Sequence, residues 1–140
     1  KNISLHRLNP RAVALEADAL APPPLRMQNF DLIACNPPYI TEEECQALDT
    51  SVRDWEPMLA LDGGEDGLVF YRSVLQNWKS VLKDGGWIIF EVGEGQAADV
   101  RALLLEAGFH NLGCTLDTLG TERVIYAQKK KHHSTESEEM

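Results

Sequence analysis

Long hydrophobic runs, paired cysteines and an excess of positive charge are all missing from this sequence of 140 residues. No apolar stretch approaches the roughly 20 residues that a membrane-spanning helix needs, and the amino terminus shows no signal-peptide pattern. Cys35, Cys45 and Cys114 are odd in number and lack Cys-x-x-Cys spacing, which argues against a disulfide framework and a zinc site. We therefore expect a cytoplasmic protein that binds neither a membrane nor a structural metal.

The chain is strongly acidic, with a formal net charge of −9 at pH 7. The lysine run from Lys129 to Lys131 is balanced by Glu136, Glu138 and Glu139, so the acidity belongs to the folded part. Such a surface repels phosphate backbones, and the sequence shows no basic patch that would reverse the effect. Direct binding to nucleic acid is therefore not expected.

Length and composition indicate one globular domain with a polar tail. A chain of this length that is 44% hydrophobic can build one core, whereas division into two domains would leave each of them small. We expect the domain to cover residues 1–128. Residues 129–140 are too polar and charged to fold, and they form the expected tail.

Hydrophobic periodicity predicts an α/β fold. Short apolar runs without strict alternation are typical of parallel strands that are covered on both faces. Apolar residues at helical spacing that stop near Lys83 and Gly85-Gly86 indicate an amphipathic helix before the third strand. The predicted strands cover residues 12–16, 31–35, 87–92, 112–116 and 124–127, and the predicted helices cover residues 68–82 and 96–107.

The order of these elements predicts the latter part of a doubly wound sheet whose final strand is reversed. Only a short turn region with Gly120 separates the last two strands, which favours an antiparallel hairpin over a crossover. Trp78 lies on the apolar stripe of its helix and is expected in the core, and Arg123 is expected to form an ion pair within the hairpin. Residues 41–67 show no periodicity and predict a long loop that acts as a lid or binding loop.

The segment Asn36-Pro37-Pro38-Tyr39 constrains function more tightly than any other part of the chain. Each proline lacks an N–H group and has φ fixed at about −65°, so the chain must leave the sheet at Asn36. Asn36 then lies at the carboxyl end of a buried strand, where open α/β sheets bind their ligands. The alternative is that the prolines merely end the strand and that Tyr39 covers the edge of the core.

These four residues resemble the (Asp/Asn/Ser)-Pro-Pro-(Tyr/Phe/Trp) motif of S-adenosylmethionine-dependent amino-methyltransferases. From Ala12 to about Ala127 the chain also resembles the HemK/PrmC family, which methylates the side-chain amide nitrogen of a glutamine in peptide chain release factors. The block from Glu56 to Leu68 separates this family from nucleic-acid methyltransferases that share only the four-residue motif. The matching points are Asp18, Asn36-Pro37-Pro38-Tyr39, Trp55-Glu56-Pro57, Ala60-Leu61-Asp62-Gly63-Gly64, Asp66-Gly67-Leu68, Phe90-Glu91-Val92-Gly93 with Gln96, and Glu122-Arg123-Val124.

The resemblance implies a class I S-adenosylmethionine-dependent methyltransferase fold with a Rossmann-like sheet. Members of the family also carry a helical substrate-recognition domain, a first strand with a glycine-rich loop, and a second strand ending in an acid for the cofactor ribose. None of these elements is found in this sequence. The resemblance therefore implies the carboxyl-terminal part of a catalytic domain, with residues 1–8 as the last turns of a helix, and a fragment that is inactive alone.

The resemblance also implies roles for the loop residues. Asn36 would accept one hydrogen of the substrate amide through its side-chain oxygen, and Pro37 would accept the other through its carbonyl. Pro38 would keep these acceptors rigid, and Tyr39 would stack on the planar amide. Asn36, Pro37 and Tyr39 are thus the predicted catalytic residues, and all four loop residues are predicted to bind substrate.

The implied cofactor is S-adenosylmethionine, with contacts from Asp18, Ala19 and Asn36. The Asp18 carboxylate would accept hydrogens from the adenine amino group, although its position equally allows a turn or helix-cap aspartate. Glu56 and Glu91 lie near the predicted mouth of the site, and neither is assigned to catalysis.

Three alternatives remain open. The same loop could present its acceptors to an amino group of adenine or guanine in nucleic acid, although the acidic surface favours a protein substrate. Gly93 and Gly95 belong to a G-x-G-x-x-A pattern that could be the cofactor loop of a circularly permuted enzyme, although too few residues follow to complete that half. Finally, the chain could be a non-catalytic interaction module or half of a split enzyme that self-associates through an exposed sheet edge.

Overall fold

The structure is a computed structural model that describes residues 1–24, 27–48 and 61–132. Trp55 and Glu56 lie outside these ranges, as do the middle of the expected long loop and residues 133–140 of the expected tail. The statements below concern the described residues.

Four strands form one mixed sheet in the described part of the chain. They are β1 (Phe30–Cys35), β2 (Leu82–Glu91), β3 (Phe109–Leu116) and β4 (Glu122–Lys129), and they lie in the order β1-β2-β4-β3. β1 and β2 run parallel, whereas β4 is antiparallel to both of its neighbours. This topology confirms the α/β class, the reversed last strand and the antiparallel hairpin. β4 extends to Lys129, one residue beyond the expected domain boundary.

The helices are short and lie between the strands or before them. In the described ranges they are α1 (Asn2–Leu5), α2 (Glu42–Ala47), α3 (Val69–Asn77) and α4 (Ala97–Glu106), with a 3-10 turn at Lys79–Val81. α4 confirms the helix predicted for residues 96–107, and α1 agrees with a helix that ends within residues 1–8. Across the described ranges, none of the helices has the length and apolar content required to cross a bilayer.

The core lies against one face of the sheet, where α3 and α4 pack. Ile88 and Phe90 of β2 are fully buried there, and the Tyr71 ring meets the Phe90 ring edge-on at 5.1 Å between centroids. Full burial of a large apolar side chain contributes about 1.5–3 kcal/mol, so this cluster dominates the stability of the chain. Trp78 packs against the same cluster, as predicted, and its indole N–H donates to the carbonyl of Ala21 at 3.0 Å.

Residues 12–16 are not a strand, and this prediction is wrong. The segment is irregular and pairs with none of the described strands; Val13 is 79% exposed and Leu15 is 52% exposed. A short apolar run becomes a strand only where a neighbouring strand supplies hydrogen bonds, and no described strand does so here. The segment is instead anchored beyond its end, where the Ser73 hydroxyl donates to the Ala19 carbonyl at 2.9 Å.

The boundary between α3 and β2 also differs from the prediction. The helix ends at Asn77 rather than near residue 82, and Lys83 with Gly85-Gly86 lies inside β2 rather than at a helix stop. Two tertiary contacts explain the early end. Trp78 turns toward Ala21, and the Lys129 ammonium donates to the carbonyls of Lys79 and Leu82 at 3.1 and 2.6 Å, which satisfies carbonyls outside the helical pattern.

Residues 41–67 were predicted as a continuous loop, but their first part forms α2. Thr41 caps this helix because its hydroxyl accepts from the Glu44 amide at 3.1 Å, and the Glu44 carboxylate accepts from the Thr41 amide at 3.0 Å. This reciprocal capping box can stabilise a short helix that lacks a long apolar stripe. The Thr-x-x-Glu pattern was therefore the sequence signal for α2.

The sheet face opposite the core is open in the described part of the chain. Leu32 of β1 is 49% exposed, and its partner Trp87 on β2 is 36% exposed. Tyr126 of β4, whose ring centroid lies 6.2 Å from that of Trp87, is 37% exposed. β1 also pairs on one side only, so its other edge carries unpaired backbone groups. Long apolar edges of this kind are templates for pairing with another chain.

We predict that the chain self-associates through this edge and that Leu32→Lys shifts it toward monomer, because an edge lysine opposes strand addition. Light scattering over a concentration series measures the effect. Leu105→Lys is the matched control, since Leu105 is 60% exposed on α4, away from the edge of β1. A monodisperse monomer of the unsubstituted chain would contradict the prediction.

Candidate functional site

The Asn36-Pro37-Pro38-Tyr39 loop leaves the sheet beside the carboxyl end of β2. Cys35, the last residue of β1, pairs with Phe90, so the loop begins next to Glu91. Pro37 is buried, whereas Asn36 is exposed. No hydrogen bond joins the Asn36 side chain to another described residue, which leaves its amide oxygen available to a ligand.

Tyr39 connects the loop to the end of β2. Its hydroxyl donates to the Glu91 carboxylate (Oε1) at 3.2 Å, and the backbone carbonyl of Glu91 accepts from the Tyr71 hydroxyl at 2.6 Å. Burial raises the pKa of Tyr39 above its ordinary value, and the neighbouring Glu91 charge raises it further. The Tyr39 phenol is therefore neutral at physiological pH and offers an uncharged ring at the mouth of the site.

Three glycines form a cradle around Tyr39. A Cβ atom at Gly63 would lie 2.7 Å from the Tyr39 Cα, one at Gly67 would lie 2.4 Å from the Tyr39 carbonyl oxygen, and one at Gly93 would lie 2.8 Å from the Tyr39 ring. Real side chains do not tolerate such distances, so the loop can sit here only because these positions lack a Cβ. We call these three residues, Gly63, Gly67 and Gly93, the glycine cradle.

A short backbone bridge fixes the loop to the cradle. The Gly63 amide donates to the Ile40 carbonyl at 2.7 Å, and the Ile40 amide donates to the Leu61 carbonyl at 3.2 Å. Asp66 stabilises the following turn through two hydrogen bonds from Arg72, which also hold the pKa of that carboxyl below its ordinary value. The described part of the block that carried the resemblance, residues 61–68, therefore supports the loop.

Gln96, directly before α4, makes the remaining polar contacts to the loop. Its side-chain oxygen accepts from the Gly93 amide at 2.9 Å, and its side-chain nitrogen donates to the carbonyls of Tyr39 at 2.9 Å and Gly67 at 3.4 Å. Gln96 was one of the residues on which the family resemblance rested, but the sequence indicated no role for it. Periodicity could not reveal the role, because the contact spans 57 residues of sequence.

Asp18 and Ala19 lie on a separate turn before β1. One carboxylate oxygen of Asp18 accepts from the Leu20 amide at 2.9 Å, which is the turn contact that position alone had allowed. Ala19 packs against the core cluster. The structure thus groups the four loop residues with Glu91 and Gln96, and it places Asp18 and Ala19 on another segment.

Arg123 pairs within the hairpin, as predicted, and its partner is Asp117. The guanidinium donates to the Asp117 carboxylate at 3.0 Å, and the Thr121 amide donates to the same side chain at 3.0 Å. These two hydrogen bonds, with that of Thr121 the stronger influence, lower the pKa of Asp117. Glu122 pairs instead with Arg101 of α4 at 2.6 Å.

Comparison with known proteins identifies relatives of this chain, although no family model matches the sequence. The release factor glutamine methyltransferase of Clostridium botulinum is 43% identical over 129 residues, which is 92% of this chain. That of Geobacter sulfurreducens is 44% identical over 102 residues, or 73% of this chain. This chain belongs to the release factor glutamine methyltransferase family.

The chain spans less than half the length of these family members, 46% of the Clostridium botulinum protein and 36% of the Geobacter sulfurreducens protein. Among solved structures, the release factor-specific protein-(glutamine-N5) methyltransferase of Alicyclobacillus acidocaldarius aligns with a TM-score of 0.46 at 28% identity. That alignment covers 74% of this chain and 50% of the solved chain.

For this member of the release factor glutamine methyltransferase family, we predict that Gly67→Ala displaces the loop and destabilises the chain more than Gly95→Ala does. Both glycines have positive φ, 75° and 80°, so both substitutions carry similar backbone strain. Only at Gly67 would the new Cβ meet the Tyr39 carbonyl, since nothing lies within 4 Å at Gly95. Denaturant unfolding should show an additional loss of about 1–3 kcal/mol for Gly67→Ala. Equal losses of unfolding free energy in the two variants would contradict the prediction, because they would show that the cradle accommodates the added Cβ.

Proposed function

We propose that this chain forms the part that binds the substrate amide in an S-adenosylmethionine-dependent protein-glutamine N5-methyltransferase, which acts on peptide chain release factors. The observation that carries the proposal is the Asn36–Tyr39 loop, which is held at the carboxyl ends of two parallel strands and whose Asn36 side-chain amide has no partner among the described residues. The names of the relatives support the substrate class. The short coverage of those relatives supports the further proposal that activity requires polypeptide beyond these 140 residues.

The chemical problem is that an amide nitrogen is a poor nucleophile, because its lone pair is delocalised into the carbonyl. We infer that the side-chain oxygen of Asn36 and the carbonyl of Pro37 accept the two amide hydrogens and direct the nitrogen lone pair outward. Pro37 and Pro38 hold these acceptors at a fixed separation, so little reorganisation accompanies the growing positive charge on nitrogen. The methylated nitrogen then loses its extra proton to water, so no general base is required.

Tyr39 has the second role in the proposed site. Its neutral ring stacks on the planar amide, and the hydrogen bond to Glu91 fixes the tilt of that ring. Glu91 acts here through Tyr39 and needs no contact with the substrate. The arrangement suits any planar NH₂ group, so the substrate class must be decided by the surrounding surface.

Charge around the site favours a protein substrate over nucleic acid. Two described arginines on segments that neighbour the loop are paired with carboxylates: Arg72 with Asp66 at 2.8 Å and Arg123 with Asp117 at 3.0 Å. Paired arginines in a chain of net charge −9 offer little attraction to a phosphate backbone.

S-adenosylmethionine supplies an electrophilic methyl group when bound, and we propose that Asp18, Ala19 and Asn36 contact it. Asp18 fits an adenine contact in one respect. Its Oδ1 is used within the turn, whereas no described residue bonds its Oδ2, which can accept from an exocyclic amino group. The three unpaired cysteines fit a reducing compartment, and we propose the cytoplasm.

The proposal is tested by methyl transfer from labelled S-adenosylmethionine. The chain is joined to the part of the Clostridium botulinum relative that lies outside the matched residues, and the fusion is assayed with a release factor, DNA and RNA. Label should appear on the release factor and should disappear when its acceptor glutamine is replaced by asparagine. Label on nucleic acid alone would establish the amino-methyltransferase alternative. The unfused chain should transfer no label.

In the same fusion, Asn36→Ala should lower kcat about 10²–10³-fold, because one preorganised acceptor at a developing charge is lost. Asn36→Asp keeps an oxygen acceptor and should retain more activity than Asn36→Ala. Unfolding midpoints of the variants control for stability, since Asn36 is exposed and bonds to no described side chain. Near-normal turnover of Asn36→Ala would refute the role of this residue.

A further inference from the structure

The side chain of Gln96 is the only described side chain that donates a hydrogen bond to the backbone of the Asn36–Tyr39 loop. Its two ends have different partners. The oxygen accepts from the Gly93 amide, and the nitrogen donates to the carbonyls of Tyr39 and Gly67. A residue that needs an acceptor at one end and a donor at the other can be an amide but not a carboxylate.

These contacts differ from those of a helix cap. Gln96 precedes α4, yet its side chain accepts from no amide of that helix and turns back to the β2–α4 turn and across to the loop. It thereby joins three segments that are distant in sequence, at Tyr39, Gly67 and Gly93. Two of them, Gly67 and Gly93, belong to the glycine cradle, so Gln96 adds side-chain hydrogen bonds between the cradle and the loop.

We propose that Gln96 is a positioning residue for methyl transfer, an inference that rests on the function proposed above. Its hydrogen bond holds the Tyr39 carbonyl toward Gln96. This orientation fixes the direction in which the Asn36 side-chain oxygen and the Pro37 carbonyl face the substrate amide. Because Pro37 and Pro38 transmit rotation stiffly, a change at the Tyr39 peptide moves both acceptors together. Misplacement of catalytic groups by about 1 Å can cost roughly 10²-fold in rate.

Gln96→Glu tests the proposal in the fusion that carries the activity. The carboxylate keeps the acceptor for Gly93 but sets a negative oxygen against the Tyr39 and Gly67 carbonyls. We expect kcat to fall about 10–10²-fold, with the KM for S-adenosylmethionine changed less than twofold. Gln96→Met, which removes the bonds without adding charge, should lie between Gln96→Glu and the unsubstituted protein. Gln76→Glu on the exposed side of α3 is the matched control and should change neither constant.

A second measurement separates positioning from general stability. Amide hydrogen exchange by NMR in Gln96→Met should accelerate at Gly93 and Ile40, whose amides donate within this cluster, and should remain unchanged at Ile88 and Ile125 in the core. Unchanged kcat in Gln96→Glu would overturn the inference. So would acceleration throughout the core, because that result marks a merely structural residue.

The outcomes also distinguish this inference from the proposed function. If the unsubstituted fusion transfers no methyl group to the release factor, the proposed function fails, whereas the exchange measurement still reports whether Gln96 orders the loop. If the fusion is active and Gln96→Glu is equally active, only the role of Gln96 fails.

Discussion

The parallel pairing of β1 with β2 is the constraint on which the rest of the site depends. It sets the ends of the two strands side by side, so the prolines turn the chain away from the sheet directly beside Glu91. Because the core cluster packs beneath both strands, apolar burial fixes where the chain leaves the sheet, and the contacts of the loop then fix its conformation. The loop therefore inherits the rigidity of the sheet, which is what a site that must orient a weak nucleophile requires.

Support for the loop comes from backbone and from absent side chains more than from charged groups. The glycine cradle lets the Tyr39 peptide lie against three other segments, and the bridge between Ile40 and Asp62 ties it to the turn that follows. The ion pairs of Arg72, Arg101 and Arg123 stabilise neighbouring turns and are partly exposed, so each contributes modestly. Among the described residues, these three arginines are thus neutralised by neighbouring carboxylates.

The sequence was sufficient to predict those features that depend on local chemistry. Consecutive prolines such as Pro37 and Pro38 end a strand, α4 has a regular apolar stripe, and the short turn at Gly120 favours a hairpin over a crossover. The sequence-based prediction was wrong where contacts with residues distant in sequence determine the secondary structure. Residues 12–16 have the composition of a strand but find no neighbour, and α3 stops early because Trp78 and Lys129 bind groups far from it in sequence. The Thr41 and Glu44 capping box is present in the sequence, but α2 lacks an apolar stripe, so hydrophobic periodicity did not predict the helix.

The site residues divide in the same way. The Asn36–Tyr39 loop could be found by its motif, whereas the contacts of Gln96, Gly63 and Gly67 with Tyr39 link segments that no periodicity relates. The glycine cradle has a further consequence for how such a protein can evolve. A side chain at any cradle position would clash with the Tyr39 peptide or ring. A substitution there requires the loop to move, and this movement would displace Asn36 and Pro37 from their positions. We therefore expect single substitutions of these three glycines to be disfavoured during evolution, and sequence change in this region to be concentrated at residues that do not contact Tyr39.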